Sequence, residues 1–325
     1  MCYRSRNLVR APINQIYSMP QDNSQITHNQ SHQLLNRMNE ALKQRYVACM
    51  FDFDGTLVER GVQIPMEAST IATLQEISEK SYMAICTARP FPGAFKHAAE
   101  ILGTKYEELQ KKWFWFCENG GVGYAYDEAH GEFRPFYRAV WPTKTMSREK
   151  FNQLVRDTFT ELVSEIDIHE SVIILRPELH IGMDPVVIEK KCEMLEQVCI
   201  RMLKDNGLED EIRLGNSSLG IILYGVDADK DRAVQEFGAY LQKHNLVAEK
   251  NLNENLHEII VFGDRPVGHG NDAFFLNGKF GTPVSVGENM PERSDLVSVI
   301  DEKNERLIGP VATAYLLKKL QFITR

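Results

Sequence analysis

Three stretches of this chain place acidic or hydroxyl side chains at the ends of apolar runs. The run Tyr46–Phe53 closes in Asp52-Phe53-Asp54-Gly55-Thr56-Leu57, Tyr82–Thr87 closes in Thr87-Ala88-Arg89, and His257–Phe262 leads into Gly263-Asp264, followed by Gly270-Asn271-Asp272. In an extended strand, residues two apart face the same side, so Asp52 and Asp54 share a side. Two carboxylates there repel, and a divalent cation is the usual remedy; oxygen ligands with waters suit Mg²⁺ better than zinc. Asp264 is the candidate third carboxylate. A carboxylate positioned beside a cation can attack phosphorus and form an aspartyl phosphate while its neighbour handles the proton. The cation would neutralise charge on the transferring group.

The elements that must position these groups follow from the hydrophobic pattern. Tyr46–Phe53 is nearly continuous in apolar residues, as in parallel strands buried on both faces. A predicted helix over Met66–Ser78, a strand over Tyr82–Thr87, a helix over Phe95–Leu102 and a strand over Trp113–Cys117 continue the alternation. Strands alternating with helices imply an α/β fold with a parallel sheet and right-handed crossovers. Ligands of such sheets bind beyond the carboxyl ends of the strands, where all three polar tips would converge.

The order then changes. A helix over Arg148–Val163 precedes strands at Ser171–Arg176 and His180–Met183. A second helix, Val186–Leu203, precedes strands at Glu211–Leu214 and Leu219–Tyr224. This helix–strand–strand order, given twice, predicts an inserted α+β domain of two similar halves. Alternation resumes with a helix over Asp231–His244, the strand His257–Phe262, a short helix over Asp272–Leu276, a strand over Pro283–Val286 and a last helix over Ala312–Leu320. The division expected is a polar, disordered extension over residues 1–44 with at most one helix near Leu34–Leu42, a core over 45–135 and 226–325, and an insert over 136–225.

Bulk properties narrow the function. The 325 residues carry 43% hydrophobic and 25% charged side chains and a net charge of −8, ordinary for a globular protein and unlike the basic footprint of a nucleic-acid binder. No apolar run approaches the roughly 20 residues that span a bilayer. None of the six cysteines (Cys2, Cys49, Cys86, Cys117, Cys192, Cys199) forms a C-x-x-C pair, so they read as free thiols in a reducing compartment, with Cys192 and Cys199 on one helix face. The expectation is a cytoplasmic protein whose partner is a small phosphorylated metabolite, with no nucleic acid and no membrane. Composition does not set its oligomeric state.

The motifs together resemble those of the haloacid dehalogenase (HAD) superfamily. Asp52-Phe53-Asp54-Gly55-Thr56-Leu57 looks like its first signature and Thr87 its second. Lys230, within Asp227-Ala228-Asp229-Lys230-Asp231-Arg232-Ala233, matches the third, and Gly263-Asp264 with Asn271-Asp272 the fourth. The resemblance covers residues 46 to 290. It implies a Rossmann-like parallel-sheet core, bound Mg²⁺ on Asp52, Asp54 and Asp264, Asp52 as nucleophile and Asp54 as general acid and base. It further implies Thr87 and Lys230 on the phosphoryl oxygens, with Asn271 and Asp272 supporting the metal shell or orienting Lys230. The insert resembles a type IIB cap, as in sugar-phosphate phosphatases and eukaryotic-type phosphomannomutases. The mutases hold a distal phosphate on an arginine-rich cap strand, and Arg176 is the one cap-strand arginine here near such a position. Hydrolysis is therefore the expected activity, with mutase activity or a catalytically silent binding protein as alternatives.

Each residue also has a plainer reading. Lys230 could be a solvated helix residue, Thr87 a helix cap, and Arg89 a surface ion-pair partner rather than a substrate ligand. Asn119, in Glu118-Asn119-Gly120-Gly121, is a candidate substrate contact or a turn residue. His269 between two glycines reads as solvent-facing, and Trp113–Phe116 as sheet core. Within the insert, Arg176, His180 and Asn216 are the candidate substrate-contacting residues.

Overall fold

The computed structural model describes residues 28–60, 66–103, 106–180, 182–289, 293 and 295–323. Its larger sheet grows from the apolar runs. The strands are β2 (Ala48–Phe51), β3 (Tyr82–Cys86), β4 (Phe114–Cys117), β5 (Val122–Asp127), β6 (Glu132–Arg138), β11 (Ile259–Gly263), β12 (Thr282–Ser285) and β13 (Val297–Ser298), in the order β13-β12-β11-β2-β3-β4-β5-β6. From β13 to β4 the neighbours are parallel, and the β4–β5–β6 hairpins are antiparallel. Helices α2 (Ala68–Lys80), α3 (Gly93–Leu102), α4 (Glu107–Lys111), α7 (Lys230–Lys243) and α8 (Gly309–Leu317) complete this layer. Both faces of the central strands are covered, which is why β2, β3, β4 and β11 are buried almost without alternation.

Register is what positions the site. Phe51 lies opposite both Phe262 and Ile85, and Cys86 opposite Phe116. The ladder continues past the strand ends, with Asp52 N–H donating to Phe262 O (2.8 Å) and Thr87 N–H to Phe116 O (2.8 Å). Asp52, Thr87 and Asp264 therefore leave their strands at one edge.

The inserted segment forms α5 (Arg148–Phe159), β7 (Glu165–Ile168), β8 (Val172–Arg176), α6 (Pro185–Asp205), β9 (Ile212–Asn216) and β10 (Ile221–Gly225). Its antiparallel sheet runs β7-β8-β10-β9. Helix–strand–strand does occur twice. The two-residue alternation splits its strands: Ile173, Leu175, Leu214, Ile221 and Leu223 pack with Phe151, Phe159, Leu195 and Cys199 from its helices. Val172, Ile174, Ile222 and Tyr224 point the other way and pack with Ala228 and Ala88, the residue after Thr87. The insert thus lids the strand ends with an apolar sheet face.

Several expected elements differ. Of the polar extension, residues 1–27 lie outside the described residues, while His28–Lys43 form helix α1, with Met38 and Ala41 buried in the main core. A two-stranded ribbon of β1 (Arg45–Tyr46) and β14 (Gln321–Phe322) adjoins it. Of the expected strand His180–Met183, Ile181 lies outside the described residues and His180, Gly182 and Met183 are in no strand; Met183 N–H donates to His180 O (3.0 Å), and β8 pairs instead with the upstream β7. Glu165 and Asp167 in β7 mark an edge strand, too short and charged to stand out by hydropathy. Asp272–Leu276 makes turns rather than a helix, with one helical hydrogen bond, Leu276 N–H to Asp272 O (2.9 Å).

Because Met38 is 4% exposed, Met38→Ala should lower unfolding free energy by about 2–4 kcal/mol. Urea denaturation of the full chain checks this. An unchanged midpoint would mean that α1 does not belong to the folded core.

Candidate active site

Helix α7 begins at the site. Asp229 caps it, its carboxylate accepting the Lys230 N–H (2.7 Å), so Lys230 is the first helical residue and its side chain turns under the sheet edge. The Lys230 ammonium is fully buried and donates to Asp52 Oδ1 (2.6 Å) and Asp272 Oδ1 (2.7 Å). The other Asp272 oxygen accepts the N–H groups of Asp264 (2.9 Å) and Arg265 (3.1 Å). Asp272 therefore orients Lys230 and fixes the loop after β11 together.

Carboxylate oxygens of Asp52, Asp264 and Asp272 lie within 4.8 Å of one another. Burial, then Asp272 and Asp264, push the Asp52 carboxyl well up despite Lys230. Burial raises Asp264 to about 7, with Arg60 opposing and Asp272 adding to the rise. Asp272 goes the other way: burial is outweighed by Lys230 and the two backbone donors, which hold it low. Burial alone would favour neutral Lys230, but Asp272 and Asp52 keep it charged. Three carboxylates share the Lys230 ammonium and the Arg60 guanidinium, which leaves them short of positive charge, and their donor atoms are hard oxygens. That donor set fits a small divalent cation such as Mg²⁺, held by Asp52, Asp264 and Asp272.

Asp54, expected among the metal ligands, turns its carboxylate to other partners. Arg89 grips it with two bonds (3.1 and 3.0 Å), and His97 Nε2 lies 3.8 Å away. Although burial opposes, nearby His97 and the two bonds from Arg89 bring Asp54 down to about 2. Thr87 is buried, and its Oγ1 accepts the Arg89 N–H (3.3 Å). Asn119 is wholly buried in a 3₁₀ turn with φ of +58°; its N–H donates to Thr87 O (2.9 Å). Its amide meets no partner at full hydrogen-bond geometry, although the Tyr224 hydroxyl lies against it.

The insert meets this edge at several points. Arg213 of β9 pairs with Asp229 (2.6 Å) and lies over the Phe274 ring (3.9 Å). Glu118 Oε2 accepts the Ser171 N–H (2.5 Å), and Gly121 admits this approach, since a Cβ there would lie 2.3 Å from Ser171 Cβ. Asn216 N–H donates to His269 O (2.6 Å), while Asn271 N–H donates to Asn216 O (3.2 Å). His269 is half-exposed, as expected, but pairs with Glu196 (2.8 Å). Arg60 contacts the Asp264 carboxylate and donates to Ser218 Oγ (2.6 Å).

The other nominated insert residues lie differently. Arg176 is exposed and pairs with Asp167 (2.9 Å) and Glu165 (3.3 Å) of its own sheet, and exposed His180 sits beside Glu178 (3.4 Å). Those partners are acids of the insert, so neither residue is brought to the carboxylate cluster. The sequence reading missed Arg60, His97 and Arg213. A lone arginine within the apolar strand β9 was a readable signal for Arg213; spacing held none for Arg60 or His97.

A cleft of about 570 Å³ lies between α6 (Glu189, Glu193, Gln197) and the loop carrying Arg265 and His269, and none of Asp52, Asp264 and Asp272 lines it. It does not include Asp52, Asp54, Thr87 or Lys230, but Arg265 is the neighbour of Asp264.

No family model and no curated protein sequence matches the chain. Among solved structures, the C-terminal domain of C. albicans trehalose-6-phosphate phosphatase superposes with a TM-score of 0.55 at 15% identity, covering 88% of this chain and 95% of that one. N-terminally truncated, IMP-bound Plasmodium falciparum IMP-nucleotidase gives 0.52 at 14% identity, covering 89% and 70%. At these identities the likeness is one of fold.

Without a cation, Asp229 and Asp264 keep protons to about pH 7 in the folded chain, whereas an unfolded chain releases them near about pH 4. The folded state then binds more protons, so stability should fall as pH rises from about 5 to about 8. Denaturant unfolding in EDTA checks this, and Asp229→Asn should flatten part of the slope. A profile that rises over that window overturns the assignment.

Proposed function

This chain has the fold of the haloacid dehalogenase superfamily with a cap over its strand ends, and on that premise we propose that it is a phosphoric monoester hydrolase. Its substrate in this reading is a small phosphorylated metabolite, a sugar or polyol phosphate, in the cytoplasm. One observation carries the proposal: Asp52, at the end of a buried strand, holds a carboxylate oxygen 2.6 Å from a buried lysine and beside two further carboxylates.

Asp52 attacks phosphorus, forming an acyl phosphate as the bond to the leaving oxygen breaks. Lys230 and Thr87 face the phosphoryl oxygens, and Lys230 is already charged and desolvated for that role. Mg²⁺ bound by Asp52, Asp264 and Asp272 would neutralise charge on the transferring group. Asp54 hands a proton to the leaving oxygen and later takes one from the water that opens the acyl phosphate. While Arg89 clasps it, Asp54 is held too acidic to donate. Arg89 is thus best placed to turn onto the substrate phosphoryl group and release Asp54. The apolar cap face, through Ile174, Ile222 and Tyr224, excludes bulk water.

In this reading the leaving group extends toward the cleft lined by Arg265, whose carboxylates and amides suit hydroxyls. Hydrolysis is favoured over mutation of the phosphate position because Arg176 is already committed to Asp167 and Glu165. Among the described residues no helix is long and apolar enough to cross a membrane. Free, buried Cys49, Cys86, Cys117, Cys192 and Cys199 support a reducing compartment.

Phosphate release from p-nitrophenyl phosphate and a sugar-phosphate panel tests the reading. Asp52→Asn should cost about a thousandfold or more in kcat. EDTA should abolish turnover and Mg²⁺ restore it. Failure of the wild-type chain to release phosphate from any of these compounds with Mg²⁺ present would sink the proposal.

A further inference from the structure

Arg60 follows the tight turn after Asp54, where Gly55 N–H donates to Val58 O (2.7 Å). Its guanidinium joins two parts of the protein. One terminal nitrogen contacts the Asp264 carboxylate, and the other donates to Ser218 Oγ (2.6 Å). Ser218 stands at the tip of the β9–β10 hairpin in the cap, at φ of +64°, with its N–H on Asn216 Oδ1 (2.8 Å). The Arg60 and Asp264 side chains are 27% and 10% exposed, so the pair is only partly screened by water.

Charge decides what this contact does when an ion arrives. Asp52, Asp264 and Asp272 face two cations, Lys230 and Arg60. A divalent ion together with Lys230 matches the three carboxylates, which leaves Arg60 as a surplus cation beside a dication. Arg60 and the ion therefore compete for Asp264. Because Arg60 also holds Ser218, whatever removes it from Asp264 loosens the link to the cap.

We propose that Arg60 is a positioning residue that couples the cap to the cation site. It ties Asp264 to Ser218 while the cluster lacks a divalent ion, and the ion displaces it, freeing the hairpin tip. The inference rests on the cation site of the reading above. Linkage makes the coupling reciprocal: the latch weakens ion binding by the factor by which the ion weakens the latch.

Calorimetric titration of the full chain with MgCl₂ tests it without turnover. Arg60→Gln should bind Mg²⁺ about fivefold more tightly than wild type. Hydrogen exchange at Ser217–Gly220 should speed up in wild type on adding Mg²⁺; in Arg60→Gln it should be fast with or without the ion. Equal or weaker Mg²⁺ binding by the variant, or wild-type exchange indifferent to Mg²⁺, overturns the coupling. Should Arg60→Gln fail to fold, Arg60→Lys serves: it keeps a charge for Asp264 but lacks the fork that also reaches Ser218. Its Mg²⁺ affinity should lie between those of wild type and Arg60→Gln, with fast, Mg²⁺-indifferent exchange, and Mg²⁺-responsive exchange there also overturns the proposal. Mg²⁺-dependent turnover with unaltered affinity in Arg60→Gln sinks the coupling alone, and no Mg²⁺ uptake by either protein sinks it together with the cation site.

Discussion

A single ammonium buried among carboxylates organises this protein. Lys230 has no exposed surface and lies between Asp52 and Asp272, so its charge is tolerated only while both partners stay in place. Each partner is fixed in turn. Asp52 continues the ladder beyond β2 by bonding to Phe262, and Asp272 holds the main chain of Asp264 and Arg265. Shifting β2 against β11 would leave a buried charge unpaired. Alignment of the two strands and electrostatics of the site are thus one constraint.

The constraint also leaves the site incomplete. Lys230 and Arg60 do not balance three carboxylates: burial, with the neighbouring carboxylates adding to it, raises Asp52 and Asp264, while Lys230 and two backbone donors hold Asp272 low. Added positive charge would relieve the repulsion among these carboxylates. The cap finishes the enclosure by a different force. Its strands alternate, so one face feeds the cap's own core and the other, with Val172, Ile174, Ile222 and Tyr224, covers the sheet edge at Ala88 and Ala228. Polar links at Glu118–Ser171 and Arg213–Asp229 set where that face comes down.

Differences between expectation and structure have local causes. Asp272–Leu276 reads as helical by composition, but the Asp272 side chain is spent on two main-chain N–H groups and the segment stays in turns. β7 hides as a four-residue charged edge, so the partner of β8 was sought downstream at His180–Met183. Asp54 shares the strand side of Asp52 in an ideal pleat. The chain, however, leaves the strand at Phe51 and turns, and Arg89 and His97 receive the carboxylate instead.

By itself the sequence determined the parallel strands β2, β3, β4, β11 and β12, the twice-repeated helix–strand–strand pattern of the insert, and the identities of Asp52, Thr87, Lys230, Asp264 and Asp272 as the groups at strand and helix ends. Those features are local: apolar runs choose strands, and residues at their ends inherit positions along a sheet edge. Tertiary structure alone decided which side chains share a charge. Asp272 with Lys230, Arg89 with Asp54, Arg213 with Asp229 and Arg60 with Asp264 are 42, 35, 16 and 204 residues apart. Hydrophobic periodicity carries no information about such pairs, because they form only where tertiary packing brings the charges within reach of each other.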